Sequence, residues 1–229
     1  MAGITVGIYL KRLTSLSLTA LMAALLLAGT VLPAGNFSVD RSILQQAEKK
    51  YGGQALRRLT AWEELIARDR SRSDRDKLDK VNRFFNERIR FASDWDVWGV
   101  EDYWATPIEF LAKGAGDCED FAIAKYFTLK AMGVEDEKLR ITYVKALRYN
   151  IHHMVLTYYS TPEAEPLVLD NLVDSIDHAS KRNDLMPILS FNGSGLWLAK
   201  QRGMGKPAGK SSRLRLWQDL LQKMSENRL

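Results

Sequence analysis

The sequence predicts an α+β fold in which N-terminal helices and a cysteine-bearing helix pack on an antiparallel sheet. Three observations predict it. Apolar residues recur at helical spacing from about residue 40 to 132, then at alternate positions from about 138 to 200. Between those regimes stands Gly114-Ala-Gly-Asp-Cys118-Glu-Asp-Phe-Ala122, a glycine-loosened turn that carries the single cysteine into an apolar helical run. The chain, with 229 residues, 46% hydrophobic and 27% charged, is long enough to fill one core.

The first element is a leader. Lys11-Arg12 precedes an uncharged, mostly apolar stretch over 13–32, and Pro33-Ala-Gly35 follows with small residues. This pattern predicts a secretory signal over 1–34, cut after Ala34, or an uncleaved N-terminal anchor. Either way the remainder is expected to be exported. Removing the leader lowers the formal charge from +5 to +3, too mild and too evenly spread for a nucleic-acid protein. A lone cysteine excludes an intramolecular disulfide.

The main domain is predicted over 35–202, helical over about 40–132 and sheet over about 138–200. A short helix is expected over 42–50, ended by Gly52-Gly53. A second runs from about Gln54 to Arg68 with Leu56, Leu59, Trp62, Leu65 and Ile66 on one face. A third, capped at Ser73 or Asp74, carries Leu78, Val81, Phe84, Phe85 and Ile89. Residues 91–106 break the period with three tryptophans, a tyrosine and four acids, and read as an irregular aromatic loop. Thr106-Pro-Ile-Glu109 is a capping box with proline at the first helical position. After the cysteine helix, Leu139–Leu147, His152–Ser160 and Pro166–Asp170 alternate as three strands of a meander, and Leu196-Trp-Leu-Ala199 reads as a last strand. Residues 203–212 read as a basic, glycine-containing linker, and Leu214–Met224 as an amphipathic helix, so that 203–229 form a tail.

Cys118 is the candidate nucleophile. A helix N-terminus offers partial positive charge and free N–H donors, which favour a thiolate. Asp117, Glu119 and Asp120 act in the opposite sense, because each negative charge raises a thiol pKa. Three carboxylates within four residues fit a hard cation such as calcium, whose charge cancels their field; solvated helix capping is the competing account. A thiol nucleophile also needs a base and an orienting group. The histidines are His152, His153 and His178. The first two lie on opposite faces of one strand, and spacing does not choose between them. Asp170 ends the next strand and is a candidate orienting group, with Asp174 and Asp177 on the loop beyond. The Cys118 backbone N–H is a candidate oxyanion donor, with a second donor expected from the aromatic loop at Trp98 or Trp104.

Two motifs carry no function. Gly205-Lys-Pro-Ala-Gly-Lys-Ser lacks the glycine spacing of a phosphate loop, and the sequons at Asn36 and Asn192 are triplets common by chance.

The order Cys, then His on a strand, then Asp on the adjacent strand is that of papain-like and transglutaminase-like thiol enzymes. Trp104-Ala-Thr-Pro-Ile-Glu-Phe-Leu, Gly116-Asp-Cys-Glu-Asp-Phe-Ala-Ile-Ala-Lys-Tyr, Arg140-Ile-Thr-Tyr-Val, His153-Met-Val-Leu, Leu169-Asp-Asn-Leu, Arg182-Asn-Asp-Leu and Phe191-Asn-Gly resemble the bacterial transglutaminase-like cysteine proteinases over roughly residues 80–200. The resemblance is to their periplasmic, adhesin-releasing branch. It implies the triad Cys118, His153 and Asp170, and calcium held by Asp117, Glu119 and Asp120. It also implies cleavage of the N-terminal region of a very large surface adhesin next to paired alanines, and so biofilm dispersal. The implied inhibitor is the periplasmic domain of an inner-membrane cyclic-diguanylate receptor. Two other functions compete: acyl transfer from glutamine to an amine on the same triad, and a non-catalytic envelope binding module.

Overall fold

A computed structural model describes residues 37–200 and 203–226. The expected leader and its cleavage point lie outside these residues. Among the described residues no helix is long and apolar enough to cross a membrane.

Three helices open the fold: α1 Arg41–Tyr51, α2 Gly53–Asp69 and α3 Asp74–Arg88. Asp40 caps α1 through Ser42 N–H, and Ser73 caps α3 through Asp76 N–H, so both helices begin where a short side chain can satisfy a free backbone donor. The aromatic stretch is not wholly irregular. It contains β1 Arg90–Phe91 and a short helix, α4 Asp94–Trp98, capped by Ser93 and closed by Gly99 in the left-handed conformation. Helix α5, Pro107–Lys113, starts with the expected capping box between Thr106 and Glu109. Its last carbonyls are bound from outside, by Arg58 Nε to Leu111 O and Arg58 Nη2 to Ala112 O, while Gly114 turns the chain at φ +70°. Strand β2, Ala115–Gly116, runs parallel to β1 and leads directly into α6, Cys118–Ala131.

Helix α6 is buried on nearly every side, with Phe121, Ala122, Ile123, Ala124, Tyr126 and Leu129 all in the core. A helix apolar all round belongs inside a domain rather than on its surface. One side meets α3 and α5; the other lies on a seven-stranded antiparallel sheet of order β6-β5-β4-β3-β7-β8-β9. The sheet contains β3 Leu139–Ala146, β4 Ile151–Tyr158, β5 Leu167–Leu169, β6 Asp177–His178, β7 Leu185–Phe191, β8 Leu196–Lys200 and β9 Gly203–Gly209. The expected meander is present as neighbours β5, β4 and β3, paired Leu156↔Leu169 and Ile141↔Leu156.

Two of the longer strands escape the sequence pattern. β7 contains Pro187, which has no N–H to give to a ladder; it sits where the β3–β7 register slips between Tyr143 and Val144, a bulge that tolerates the missing donor. The segment from Gly203 is not a linker. Residues 203–209 form the edge strand β9 on β8, with Trp197↔Pro207 and Leu198↔Lys206 paired. Glycine and proline read as breakers in isolation, but an edge strand accepts them because its outer side needs no partner.

The final helix, α7 Arg215–Glu226, docks on the core through Trp217, which is fully buried against Phe127, Tyr126 and Phe191. Lys223 donates to Trp104 O, tying α7 to the aromatic loop. Trp217→Ala is therefore expected to destabilise the protein by about 3–5 kcal/mol, as for other buried aromatic truncations. Urea unfolding followed by tryptophan fluorescence measures it, and a loss below about 1 kcal/mol would mean that α7 is a tail rather than part of the core.

Candidate active site

Cys118 occupies the first position of α6, as expected from the glycine turn before it. That turn has no room to spare: a Cβ at Gly116 would meet the Asp120 carboxylate and come within 2.7 Å of the Phe110 ring. The thiol lies where β4 runs past the end of β5. β5 pairs only with residues 156–158 of β4, and the free Met154 N–H reaches the sulfur. Sγ itself donates to Glu119 Oε2 at 3.1 Å.

The structure separates the histidines. His153 is 2% exposed, and its Nε2 lies 2.8 Å from Asp170 Oδ1. Continuing the β4–β5 register past Leu156↔Leu169 sets Asp170 opposite Val155, one diagonal from His153 on the same face, so strand alternation explains the meeting. With Nε2 engaged, Nδ1 is the ring nitrogen left for the thiol. His152 points to the other face and stacks on Tyr143 at 5.2 Å. His178 is exposed beside Glu165. Of the other acids, Asp174 accepts from Asn86 and Asp177 from Ser175, and neither serves His153.

Asp170 is held from several sides. Oδ1 also accepts from Leu172 N–H at 3.0 Å, and Oδ2 accepts from Arg182 Nη2 at 2.7 Å. Burial alone would raise this carboxyl; the hydrogen bond and charge of His153, the Leu172 N–H and Arg182 outweigh it and bring it down to about 2. Asp170 is thus a carboxylate at any physiological pH. Arg182 has a role that its spacing does not show, because the loop that brings it to Asp170 is long.

The acids form a nest larger than the three around Cys118. Carboxylate oxygens of Asp94, Asp117 and Asp120 lie within 4.8 Å of one another, as do those of Asp94, Asp102 and Glu119. Asp117 stands at the N-cap of α6 but makes no capping hydrogen bond, and Asp120 Oδ1 accepts from Ala105 N–H at 2.8 Å. The Asp117 N–H also reaches the Asp120 carboxylate, so capping accounts for Asp120 in part but not for Asp117. Among the described residues, Asp94 Oδ1, Asp117 Oδ1 and Asp120 Oδ2 are buried without a hydrogen-bond partner. Buried carboxylate oxygens in that condition are expensive unless protonated or bound to a cation. Burial, with the Glu119 charge next, pushes Asp117 up to about 10, and burial pushes Asp94 up to about 6. The thiol is pushed up too, by burial first and then by Glu119 and Asp117. A hard cation suits an all-oxygen donor set of this kind. Asp94 and Asp102 were not visible as members, since α4 and the loop after it bring them in from 16–24 residues upstream of Cys118.

The two tryptophans expected as oxyanion donors differ: Trp104 has an acceptor, whereas the Trp98 indole nitrogen has none among the described residues. Trp104 hydrogen-bonds Asp102 and stacks on Phe191, and the Trp98 indole nitrogen is buried under Tyr103. Asn192 is 1% exposed and binds Asp136 O and Leu139 O, so its sequon is structural.

Comparison with known proteins agrees with this architecture. Residues 61–186 match the family model described as bacterial transglutaminase-like cysteine proteinase. None of the curated proteins matches. Among solved structures, Legionella pneumophila LapG is 46% identical, covers 82% of this chain and 98% of its own, and superposes with a TM-score of 0.71. An EGTA-treated form of that LapG gives the same values, and a calcium-bound form has a TM-score of 0.69 at 46% identity, covering 82% of this chain and 99% of its own. The matched region contains the glycine turn, the thiol helix and the His–Asp strands, and this chain belongs to the bacterial transglutaminase-like cysteine proteinases.

Proposed function

We propose that this cysteine protease is a calcium-dependent periplasmic endopeptidase that cuts the N-terminal region of a large surface adhesin near paired alanines, releasing the adhesin and dispersing biofilm. The observation that carries the catalytic part is the buried His153–Asp170 pair, with His153 next in the chain to Met154, whose N–H reaches the Cys118 sulfur. The substrate, the compartment and the restraining cyclic-diguanylate receptor follow from the family likeness and its LapG member rather than from geometry.

In the mechanism, Cys118 attacks the scissile carbonyl while His153 Nδ1 takes the thiol proton. The resulting imidazolium is stabilised by the Asp170 carboxylate on Nε2, which also fixes the tautomer. His153 then returns the proton to the leaving amine, and water resolves the acyl-enzyme by the same route. The Cys118 backbone N–H, at the positive end of α6, faces the developing oxyanion. The three carboxylate oxygens without partners, on Asp94, Asp117 and Asp120, make the nest fit a cation, with Glu119 and Asp102 completing the donor set. Calcium bound there supplies charge that cancels the acid field around the thiol. Glu119, once turned toward the nest, leaves the thiol hydrogen free for His153.

Three outcomes are expected. Cys118→Ala, His153→Ala and Asp170→Asn each reduce cleavage of an adhesin N-terminal segment by at least about 10³-fold, with folding intact by circular dichroism. Hydrolysis that persists in Cys118→Ala, or a Gln–Lys crosslink in place of a cut, would overturn the endopeptidase reading. The nest gives a pH signature. A carboxylate whose folded pKa is raised binds its proton more tightly when folded, so its stabilising contribution is complete below the unfolded value of about 4 and is lost as pH rises through the folded value. Asp94 at about 6 and Asp117 at about 10 place that loss above pH 4, whereas Asp170, at about 2, contributes its change below it. In EGTA the melting temperature should fall from pH 5 to pH 8, and the upward shift on adding calcium should grow over the same range. A calcium shift that does not change with pH would remove the nest as the site. Finally, Gly116→Ala, whose new methyl meets the Asp120 carboxylate and Phe110, should abolish the calcium-induced shift while leaving a cooperative melt.

A further inference from the structure

We propose that Lys125 is a positioning residue for this reaction, holding the Asp170 backbone and through it the aim of the His153 ring. The inference rests on the triad reading above and deepens it. Lys125 is 1% exposed in the middle of the nucleophile helix. Among the described residues its ammonium has no carboxylate partner. Nζ donates to Asn82 Oδ1 at 2.7 Å and to the Asp170 main-chain carbonyl at 3.0 Å. Asp170 and Asp174 act on it only through space, and the Phe121 ring lies 5.7 Å away. Burial pushes the group down to about 7, while those two carboxylates pull it part of the way back.

A buried lysine bound to two neutral amide oxygens is a costly way to hold a core together, and an apolar side chain of similar length would do it better. What it does achieve is specific. The Asp170 carbonyl accepts from Lys125 on α6 and from Asn86 Nδ2 on α3 at 2.8 Å, which fills both of its lone pairs. Its carboxylate accepts from His153, Leu172 N–H and Arg182. Asp170 is thus fixed at the main chain and the side chain together. Lys125 is seven residues beyond Cys118, two turns or about 10 Å along one helix and on nearly the same side. The helix that presents the nucleophile therefore also grips the residue that orients its base, making thiol, imidazole and carboxylate parts of one rigid frame. Asn82 extends the grip by donating to Asp174 O at 2.9 Å, beyond the catalytic aspartate.

The test compares Lys125→Met with the double variant Lys125→Met/Asn82→Leu, in the full-length protein. The double variant removes both members of the polar pair and so leaves neither of them buried and unsatisfied. Readouts are the melting temperature, kcat and KM on the adhesin segment, and the downfield proton resonance of His153 Nε2–H. Misplacing the base by about 1 Å is expected to lower kcat by up to about 10²-fold with KM within about twofold. The expected result is that the double variant is more stable than Lys125→Met, short of the parent by the lost Asn82–Asp174 bond, while kcat stays low and the Nε2–H resonance stays shifted or broadened. Recovery of kcat and of the resonance together with stability would overturn the proposal, because Lys125 would then be structural only. Asp170→Asn run alongside separates the two failures. If it loses activity while the double variant keeps it, this inference alone falls; if it keeps activity, the triad reading falls first.

Discussion

Uncompensated negative charge beside the nucleophile is the constraint on which the rest of this structure depends. A helix N-terminus would by itself favour a thiolate at Cys118, but buried carboxylates surround the sulfur and act against that dipole. Among the described residues three of their oxygens have no hydrogen-bond donor. A fold does not assemble such a cluster by accident of packing, because each unpaired buried carboxylate destabilises it. The local architecture is built to close around it. The Gly116 backbone lies against Asp120, α4 turns Asp94 inward, Tyr103 N–H and Ala105 N–H each hold one acid, and α7 braces the same loop through Lys223. Aromatic residues 95–104 are therefore part of the wall of an acidic nest.

The other half of the site obeys a different rule. His153 and Asp170 meet because the β4–β5 register puts odd-numbered residues of β4 and even-numbered residues of β5 on one face, and Asp170 stays ionised because every oxygen it has is hydrogen-bonded. Nucleophile and base come from separate structural layers, and their mutual geometry depends on how α6 is seated on the sheet. Ordinary apolar packing along α6 sets that seat, and polar contacts near its middle reach the aspartate loop.

The sequence by itself determined the elements whose signal is local. The capping box at Thr106, the cysteine at the start of a helix, the meander of β3 to β5 and the three opening helices all follow from periodicity, caps and turn residues within a few positions. It also placed Asp117, Glu119 and Asp120 around the thiol and brought the candidates for base and orienting group down to a handful. What only the tertiary structure decided has a common cause, which is that the deciding partner is remote in sequence. β9 is a strand because β8 offers it a template, although its glycines and proline read as a linker. β7 survives its proline because a bulge absorbs the missing donor. His153 is distinguished from His152 by which face of β4 meets Asp170, and Asp94, Asp102 and Arg182 reach the site across loops whose paths no local pattern encodes. Backbone propensity acts over one or two turns, whereas charge and burial act through space.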